Sequence, residues 1–277
     1  MPAVQILKKK LRGIRSTQKL TKAMKTVSTV KFSKLNGIYN KFSAYGKQCN
    51  ALYEKYKAGL ANFLPPADPN APICVIVFST NKGLCGSFNA ELHSFAQEEL
   101  AKLKRPYLLV AYGKKAISYF KEKQQPVELA LIPEDVPTYE ESTHLLQTIF
   151  QWRAEKKISS VKIIYPKYTN MVKQTPVIQD LFEASGSSKD DQADESTLFV
   201  PDRQTIIAKT ADKIFQAILY ELLLETALGA QAATLMTMRS AYDTATEYSE
   251  QLESQINRQR QSAVTADVIE TSSERKE

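Results

Sequence analysis

The sequence predicts an α/β protein in which the N- and C-terminal helices form a long antiparallel coiled coil, joined to a Rossmann-like α/β domain with a mostly parallel sheet. Proline placement is the first observation: of the twelve prolines, all but the one at position 2 lie between Pro65 and Pro201. Proline inside a helix costs about 3 kcal/mol or more, so both proline-free ends can form long helices. We predict coiled-coil helices over 1–64 and 202–277 and a globular domain over 65–201.

The second observation is a heptad-like spacing of apolar residues in both end segments. Steps of three and four alternate, as in a helix that buries a narrow stripe against another helix. The stripe comprises Leu35, Ile38, Phe42, Tyr45, Cys49, Leu52 and Tyr56 in the first segment, and Leu235, Met238, Tyr242, Ala245, Ser249, Leu252, Ile256, Gln259 and Ala263 in the second. Nearer the N-terminus, the apolar residues of 7–14 fall out of register with Leu20, Met24 and Val27, which predicts a stutter.

The third observation is an alternation of strands and helices in the middle of the chain. Buried strands are predicted at Ile73–Phe78, 107–111 and 161–165, with a further strand at 177–182. The helical segments between the strands are 88–104, 114–123 and 139–156. This order favours a Rossmann-like domain with right-handed crossovers. The acidic, serine-rich stretch 183–196 is predicted to be a loop. Because domain termini often lie close together, the two end helices should run antiparallel.

Composition excludes several classes of protein. Hydrophobic residues are 43% and charged residues 24% of the chain, which is typical of a globular protein rather than a disordered, collagenous or membrane-embedded one. The most apolar long stretch, 217–236, contains Glu221 and Glu225, so no membrane span is expected. The three cysteines form no CxxC pair, and two scattered histidines do not indicate a zinc site. No metal site is predicted.

Positive charge is concentrated in the first helix. Residues 1–57 contain fourteen Lys and Arg but one acid, Glu54, so this segment carries about +13, and the rest of the chain must sum to about −6 to give the overall +7. A solvated coiled-coil surface would mix both signs and form i,i+4 pairs. The excess instead favours an acidic partner. Nucleic acid would satisfy the charge, but no zinc finger, RNP-type motif or bZIP arrangement accompanies it.

No catalytic constellation is evident. The segment 79–89 follows a buried strand and precedes a helix, where a phosphate-binding loop would lie. It lacks both the G-x-x-x-x-G-K-[ST] and the G-x-G-x-x-G patterns, so we interpret Gly83 and Gly86 as parts of a structural turn. Cys85 could act as a nucleophile near the helix N-terminus, with His93 the nearest histidine in sequence. We predict no catalytic residue and no cofactor.

Three segments together resemble the gamma subunit of F-type ATP synthases of the bacterial type. They are residues 11–28 (LRGIRSTQKLTKAMKTVS), 80–89 (TNKGLCGSFN) and 257–265 (NRQRQSAVT), the last similar to the family's N-x-x-R-Q-x-x-I-T motif. The resemblance covers essentially the whole chain. It implies a central-stalk rotor that couples proton flow through the membrane c-ring to the conformational cycle of the beta subunits, with no bond chemistry of its own.

The resemblance also implies partners and contact residues. The expected partners are the alpha, beta and epsilon subunits and the c-ring, with membrane association only through the complex, at the cytoplasmic face of a bacterial inner membrane, and no nucleic acid. The residues that match beta-subunit contacts are Lys19, Lys22, Met24, Lys25, Arg260 and Gln261.

The sequence departs from the family pattern at three places. Gly229-Ala230 and Thr234-Leu235 stand where the family usually has Ser-Glu and Arg-Met, and 270–277 is polar where the family is apolar. The side chains that the family usually has at these positions are therefore missing here. A basic coiled-coil nucleic-acid binder and a small α/β enzyme with helical extensions remain the alternative interpretations.

Overall fold

A computed structural model describes residues 2–61, 64–182 and 202–274. The elements, in chain order, are α1 (Pro2–Ala61), β1 (Ile73–Phe78), α2 (Phe88–Lys102), β2 (Tyr107–Tyr112), α3 (Lys114–Glu122), β3 (Leu129–Leu131), α4 (Tyr139–Ala154), β4 (Val161–Tyr168), β5 (Gln174–Asp180) and α5 (Arg203–Glu274). The predicted helix–α/β–helix order is confirmed. The loop predicted at 183–196 lies outside the described residues.

The five strands form one sheet in the order β3-β2-β1-β4-β5. Neighbours among β1 to β4 run parallel, and β5 pairs with β4 antiparallel, so the predicted mostly parallel sheet is confirmed. Successive side chains of a strand point to opposite faces of the sheet, so β1 contributes to the core on both faces. Ile76 and Phe78 pack toward α1, α4 and α5 on one face, and Val75 and Val77 pack toward α2 and α3 on the other. The sequence prediction missed β3, which has three residues.

By its contacts the chain divides into two units. One comprises Met1–Val30 with Thr234–Glu277, and the other comprises Lys31–Ala233. Each helix therefore contributes to both units. In the larger unit, Leu35 of α1 is buried with Leu224 and Leu228 of α5, and burying a leucine side chain contributes about 1.5–3 kcal/mol.

Within the larger unit the buried stripe of α1 differs from the predicted one. Leu35 and Cys49 are buried as predicted, but Tyr45 and Leu52 are exposed, and the residues one position later, Gly46 and Tyr53, are buried instead. The reason is that Tyr53 also faces the core beneath the sheet, so this part of α1 buries a wider and shifted surface than a two-helix seam requires. The helix is also not continuous, since Tyr56 has non-helical angles (φ −119°, ψ 15°).

The smaller unit contains an antiparallel helix pair. Leu11 of α1 packs against Leu252 and Ile256 of α5, and further along α1 the Gln18 side chain donates to Thr246 Oγ1 at 2.8 Å. The partner numbers fall as the α1 numbers rise, which confirms the predicted antiparallel orientation.

The predicted stutter in the first helix is wrong. The alternation of threes and fours continues through Gln18, Thr21 and Ser28, and the latter two are buried although they are polar. Leu20 and Val27 are 61% and 55% exposed. On α5 the predicted seam residues from Leu235 to Ile256 are buried or half-buried, but Gln259 is exposed. Apolar spacing therefore misled the prediction where polar residues occupy the seam.

Candidate functional site

The basic residues that match partner contacts lie on α1 in the smaller unit. Lys19 and Lys22 are exposed, and Met24 is half-buried. The Lys25 ammonium lies 4.9 Å from the centroid of the Tyr242 ring on α5, a cation–π contact that holds this lysine against the helix pair. Lys19 and Lys22 thus present their charge to solvent, whereas the charge of Lys25 is fixed in position.

An exposed apolar stripe accompanies these lysines. Leu20 and Val27 are seven residues apart and therefore share a helix face, and Val30 lies one turn further along. The sequence prediction assigned Leu20 and Val27 to the seam and so missed this surface. Continuing the alternating steps of three and four from Leu11 through Gln18 would have placed Leu20 and Val27 outside the seam and so identified this exposed surface. An apolar stripe rimmed by lysines suits a partner surface with an apolar centre and acidic surroundings.

Arg260 and Gln261 lie elsewhere on the helix pair. Both are exposed on α5, beyond the point where Ile256 packs on Leu11. From Thr246, which contacts Gln18, to Arg260 the helix rises about 21 Å at about 1.5 Å per residue. The structure therefore does not bring the predicted contact residues into one site. It places them in two groups at different levels of the helix pair.

The turn after β1 is held by side-chain hydrogen bonds. Asn89, at the start of α2, donates to Thr80 Oγ1 at 2.9 Å and to Cys85 Sγ at 3.1 Å, and it accepts from Ser79 Oγ at 3.1 Å. Gly86 has a φ of 60° and Leu84 a φ of 65°, a region that glycine adopts at little cost. Gly83 has ordinary backbone angles, and a Cβ there would only touch Lys115 at 3.7 Å.

The close neighbour of this turn is another glycine, which the sequence prediction missed. A Cβ on Gly113, between β2 and α3, would lie 2.5 Å from the Ser79 carbonyl oxygen, and the φ of Gly113 is +103°. Both the close approach and the backbone angle therefore require glycine here. No G-x-G spacing marks this position in the sequence. The need for glycine becomes visible only in the structure, where the chain after β2 lies against the chain after β1.

An ion-pair cluster links the turn to α1. Asp135, in the segment between β3 and α4, accepts from Lys31 of α1 at 2.5 Å and from Lys82 of the turn at 2.7 Å. The Lys31 and Lys82 hydrogen bonds hold the pKa of the Asp135 carboxyl below its ordinary value. All three side chains are partly exposed, so each pair is worth about 0–1 kcal/mol.

The nucleophile candidates near this turn are enclosed. Ser79 Oγ lies 3.0 Å from His93 Nε2, and both residues are buried. Burial, followed by the charge of Lys115, lowers the pKa of His93 to about 4, so its imidazole is neutral near pH 7. Burial also raises the pKa of the Cys85 thiol, which keeps it protonated and unreactive. Buried groups of this kind serve packing and turn geometry better than attack on a substrate.

α5 passes close to the place where an α/β sheet ordinarily binds a nucleotide. Strand order reverses between β1 and β4, and in open sheets ligands bind at the carboxyl ends of strands beside such a reversal. Here Gly229 of α5 comes so close to Phe88 and Gln174 that a Cβ would lie 3.3 and 3.2 Å from their side chains. Phe88 follows the β1 turn, and Gln174 pairs with Tyr168 at the end of β4. The glycine noted above as a departure therefore permits a close helix contact.

The described residues, 2–61, 64–182 and 202–274, contain a further small pocket. A pocket of about 160 Å³ lies beside Tyr112, Glu141 and His144, but the Glu141 carboxylate already accepts from Tyr112 and from the backbone of Thr138. No group of three or more His, Cys, Asp or Glu side chains in the described chain is arranged to hold a metal ion. Among these residues, no helix has an apolar run long enough to cross a bilayer.

Comparison with known proteins gives one consistent family. The sequence profile of the family described as ATP synthase matches residues 3–273. A protein named ATP synthase gamma chain from Nautilia profundicola is 28% identical over 288 residues, covering 98% of this chain and 97% of that protein. The protein of the same name from Azobacteroides pseudotrichonymphae is 25% identical over 282 residues, with the same coverage of 98% and 97%.

Solved structures share the fold. A chain of the Euglena gracilis mitochondrial ATP synthase rotor, in rotational state 1, has a TM-score of 0.66 and 15% identity, covering 95% of this chain and 99% of that chain. A chain of the Tetrahymena thermophila mitochondrial ATP synthase central stalk and c-ring has a TM-score of 0.61 and 16% identity, covering 80% and 99%.

Proposed function

The chain belongs to the ATP synthase family, and we propose that it acts there as the gamma subunit, the rotor of the central stalk. As the rotor it couples proton flow through the membrane c-ring to the conformational cycle of the catalytic beta subunits. The observation that carries this function is an antiparallel pair of long helices, of 60 and 72 residues, whose segments also pack on an α/β sheet. A coiled coil supplies the stiffness that a rotating shaft needs.

A rotor must also differ around its axis, because a rod with identical faces cannot favour one beta-subunit conformation over another. The helix pair meets this requirement. Leu20 and Val27 make one exposed face apolar, while Lys19 and Lys22 add positive charge along α1. The chemistry on this helix pair therefore varies with direction.

The proposed contacts follow from these surfaces. Lys19, Lys22, Met24 and Lys25 would face acidic loops of the beta subunits, and Arg260 with Gln261 would contact them at a second level. Exposed ion pairs contribute about 0–1 kcal/mol each. Such weak pairs suit a surface that must pass several partners in turn without becoming locked to one of them.

The remaining partners are proposed by family membership. The alpha and beta subunits would surround the helix pair, and the α/β domain, proposed as 65–201 between helices at 1–64 and 202–277, would sit on the c-ring beside the epsilon subunit. The chain would then be held at the cytoplasmic face of a bacterial inner membrane through the complex alone.

The rotor is proposed to do no bond chemistry itself. Two observations support this: Gly229 of α5 lies close to Phe88 and Gln174 beside the strand reversal, and Ser79, His93 and Cys85 are buried. Neither the family nor the named relatives support the nucleic-acid alternative. The basic residues of α1 are therefore proposed to contact acidic loops of partner proteins.

Co-purification from native membranes tests the function. A tagged copy of this chain should return with a fixed set of subunits, including an ATPase core and a membrane ring, and nuclease treatment should leave that set unchanged. Recovery of nuclease-sensitive material instead, or of the chain with no ATPase activity, would contradict the proposal. A tagged unrelated coiled-coil protein of similar charge, expressed at the same level, serves as the control.

A further inference from the structure

Two acidic side chains of α5 lie where three elements of the larger unit meet. Glu225 is 9% exposed, and Tyr39 of α1 donates its hydroxyl to Glu225 Oε1 at 2.9 Å. Glu221, one turn earlier, accepts from Asn50 Nδ2 of α1 at 2.8 Å. Tyr168, at the end of β4, packs edge-on against Tyr39. We name Tyr39, Glu221 and Glu225 the junction cluster, because it joins both helices to the sheet.

The chain makes room for these carboxyl groups. Gly46 of α1 is buried beside Glu221, and a Cβ there would lie 2.9 Å from Glu221 Oε2. A residue larger than glycine would displace the carboxyl group from its present position, although glycine is a poor helix former. Gly46 thus leaves space for the Glu221 carboxyl group between α1 and α5.

Glu225 is incompletely satisfied. Its second carboxyl oxygen, Oε2, is buried and accepts no hydrogen bond of ordinary geometry from the described residues, and the Tyr168 backbone offers the carboxyl group only a weaker interaction. A buried charge without full pairing is far more costly than a buried neutral group, so such a carboxyl lowers its cost by keeping its proton. The i,i+4 spacing from Glu221 adds a like charge on the same helix face, which acts in the same direction.

The charged and titratable groups around Glu225 act in both directions. On α5, burial raises the pKa of Glu225 most, and the charge of Glu221 raises it further. On α1, the Tyr39 hydrogen bond lowers it, and on β4 the Tyr168 backbone and Lys167 lower it too. The net pKa is above the ordinary value of 4.5. The pKa of Glu221 is raised as well, mainly by burial, against the opposing effects of Asn50 and Lys47.

We propose that Glu225 is a positioning residue that keeps its proton at pH values where exposed glutamates have lost theirs, and that the junction cluster in this state fixes α1 and α5 to the sheet within the larger unit. The hydrogen bond from Tyr39 to the neutral Glu225 then joins α1 to α5, and the contact of Tyr168 with Tyr39 joins β4 to both. Only the consequence for torque rests on the rotor function proposed above, because the protonation itself is a property of the folded chain.

The sign of the pH effect follows from linkage. The folded pKa of Glu225 lies above the unfolded value, so protonation contributes stability that is present at low pH and is lost as the pH rises through the folded value. Glu225→Gln keeps the shape and removes the titration. The unfolding temperature of the natural chain should therefore fall by a few degrees relative to that of Glu225→Gln as the pH rises above the ordinary glutamate value of 4.5.

Infrared spectroscopy of the full-length chain tests the protonation directly. The difference spectrum between the natural chain and Glu225→Gln should show a protonated carboxyl band that persists after the exposed glutamates have ionised. Glu221→Gln removes the neighbouring charge, so in that background the Glu225 band should disappear at lower pH. Glu98→Gln, at an exposed position of α2, should leave the band unchanged. Loss of the band together with that of the exposed glutamates would overturn the inference.

The mechanical consequence is measured in the assembled ATP synthase. The number of protons pumped per ATP hydrolysed should fall in the natural complex relative to Glu225→Gln as the pH rises over the same range. An unchanged ratio alongside the predicted infrared band would overturn the positioning role while leaving the protonation intact. Failure of the complex to assemble or pump with the natural chain would instead count against the rotor function.

Discussion

The Lys25 ammonium lies 4.9 Å from the centre of the Tyr242 ring, so a lysine from the most basic segment of the chain is held against the partner helix. Lys19 and Lys22, on the same helix, are exposed instead. The basic segment thus combines one charge of fixed position with charges that can adjust to a passing partner.

Reversing the charge of this segment should weaken coupling. In the assembled complex, Lys19→Glu, Lys22→Glu and Lys25→Glu together should lower ATP-driven proton pumping about fivefold, because each exposed pair worth about 0–1 kcal/mol becomes a repulsion. ATP hydrolysis by the complex should persist. The measurement is proton uptake by inverted membrane vesicles, normalised to hydrolysis.

The matched control for this experiment carries the same charge change elsewhere. Lys104, Lys121 and Lys123 are exposed on or beside α2 and α3, and their joint replacement by glutamate should leave pumping per ATP unchanged. Equal losses in the two triple variants would show that net charge, not the α1 surface, is responsible.

Apolar residues in the polar part of the seam should stabilise the helix pair. The Gln18 side chain donates to Thr246 Oγ1 at 2.8 Å. Replacing both residues by leucine removes the donor and the acceptor of this hydrogen bond at once, so neither is left without its partner. The unfolding temperature of the full-length chain should rise by about 2–4 °C. The single variant Gln18→Leu should gain less, since it leaves Thr246 without this donor. A double variant less stable than the natural chain would contradict the assigned register.

Gly113→Ala should destabilise the larger unit by more than about 2 kcal/mol. The added Cβ meets the Ser79 carbonyl oxygen at 2.5 Å, and the backbone angle disfavours any L side chain. Gly37→Ala is the control, because a Cβ there meets nothing within 4 Å and the residue is helical, so alanine should stabilise by up to about 1 kcal/mol. Denaturant unfolding of both variants should give changes in the free energy of unfolding of opposite sign. A Gly113→Ala variant as stable as the natural chain would contradict the close contact.

Asp135→Asn should remove a pH-dependent contribution to stability. The pKa of Asp135 is lowered in the folded chain, so its contribution is present above the ordinary value of 3.8 and is lost as the pH falls through the lower folded value. The natural chain should exceed Asp135→Asn by up to about 1 kcal/mol near neutral pH, and the two should converge in acid. A difference that does not change with pH would assign the effect to packing instead.

The sequence was sufficient for the order of the helices and longer strands and for the sheet type, because these depend on proline placement and on runs of buried residues, but it missed the three-residue β3. It was not sufficient where several elements meet. Thr21 and Ser28 occupy seam positions that apolar spacing cannot identify, and Tyr53 replaces Leu52 because α1 also meets the core beneath the sheet. Asp135 and Gly113 act through partners that are distant in sequence, so no local pattern marks them.

Single-molecule rotation tests the rotor account most directly. The three native cysteines, Cys49, Cys74 and Cys85, are all buried, so one cysteine introduced at the exposed Lys104 position should be labelled selectively with a bead. With the alpha and beta subunits fixed to a surface, ATP should drive rotation of the bead in one direction, and removing ATP should stop it. A bead that stays fixed or moves at random while the complex hydrolyses ATP would contradict the account.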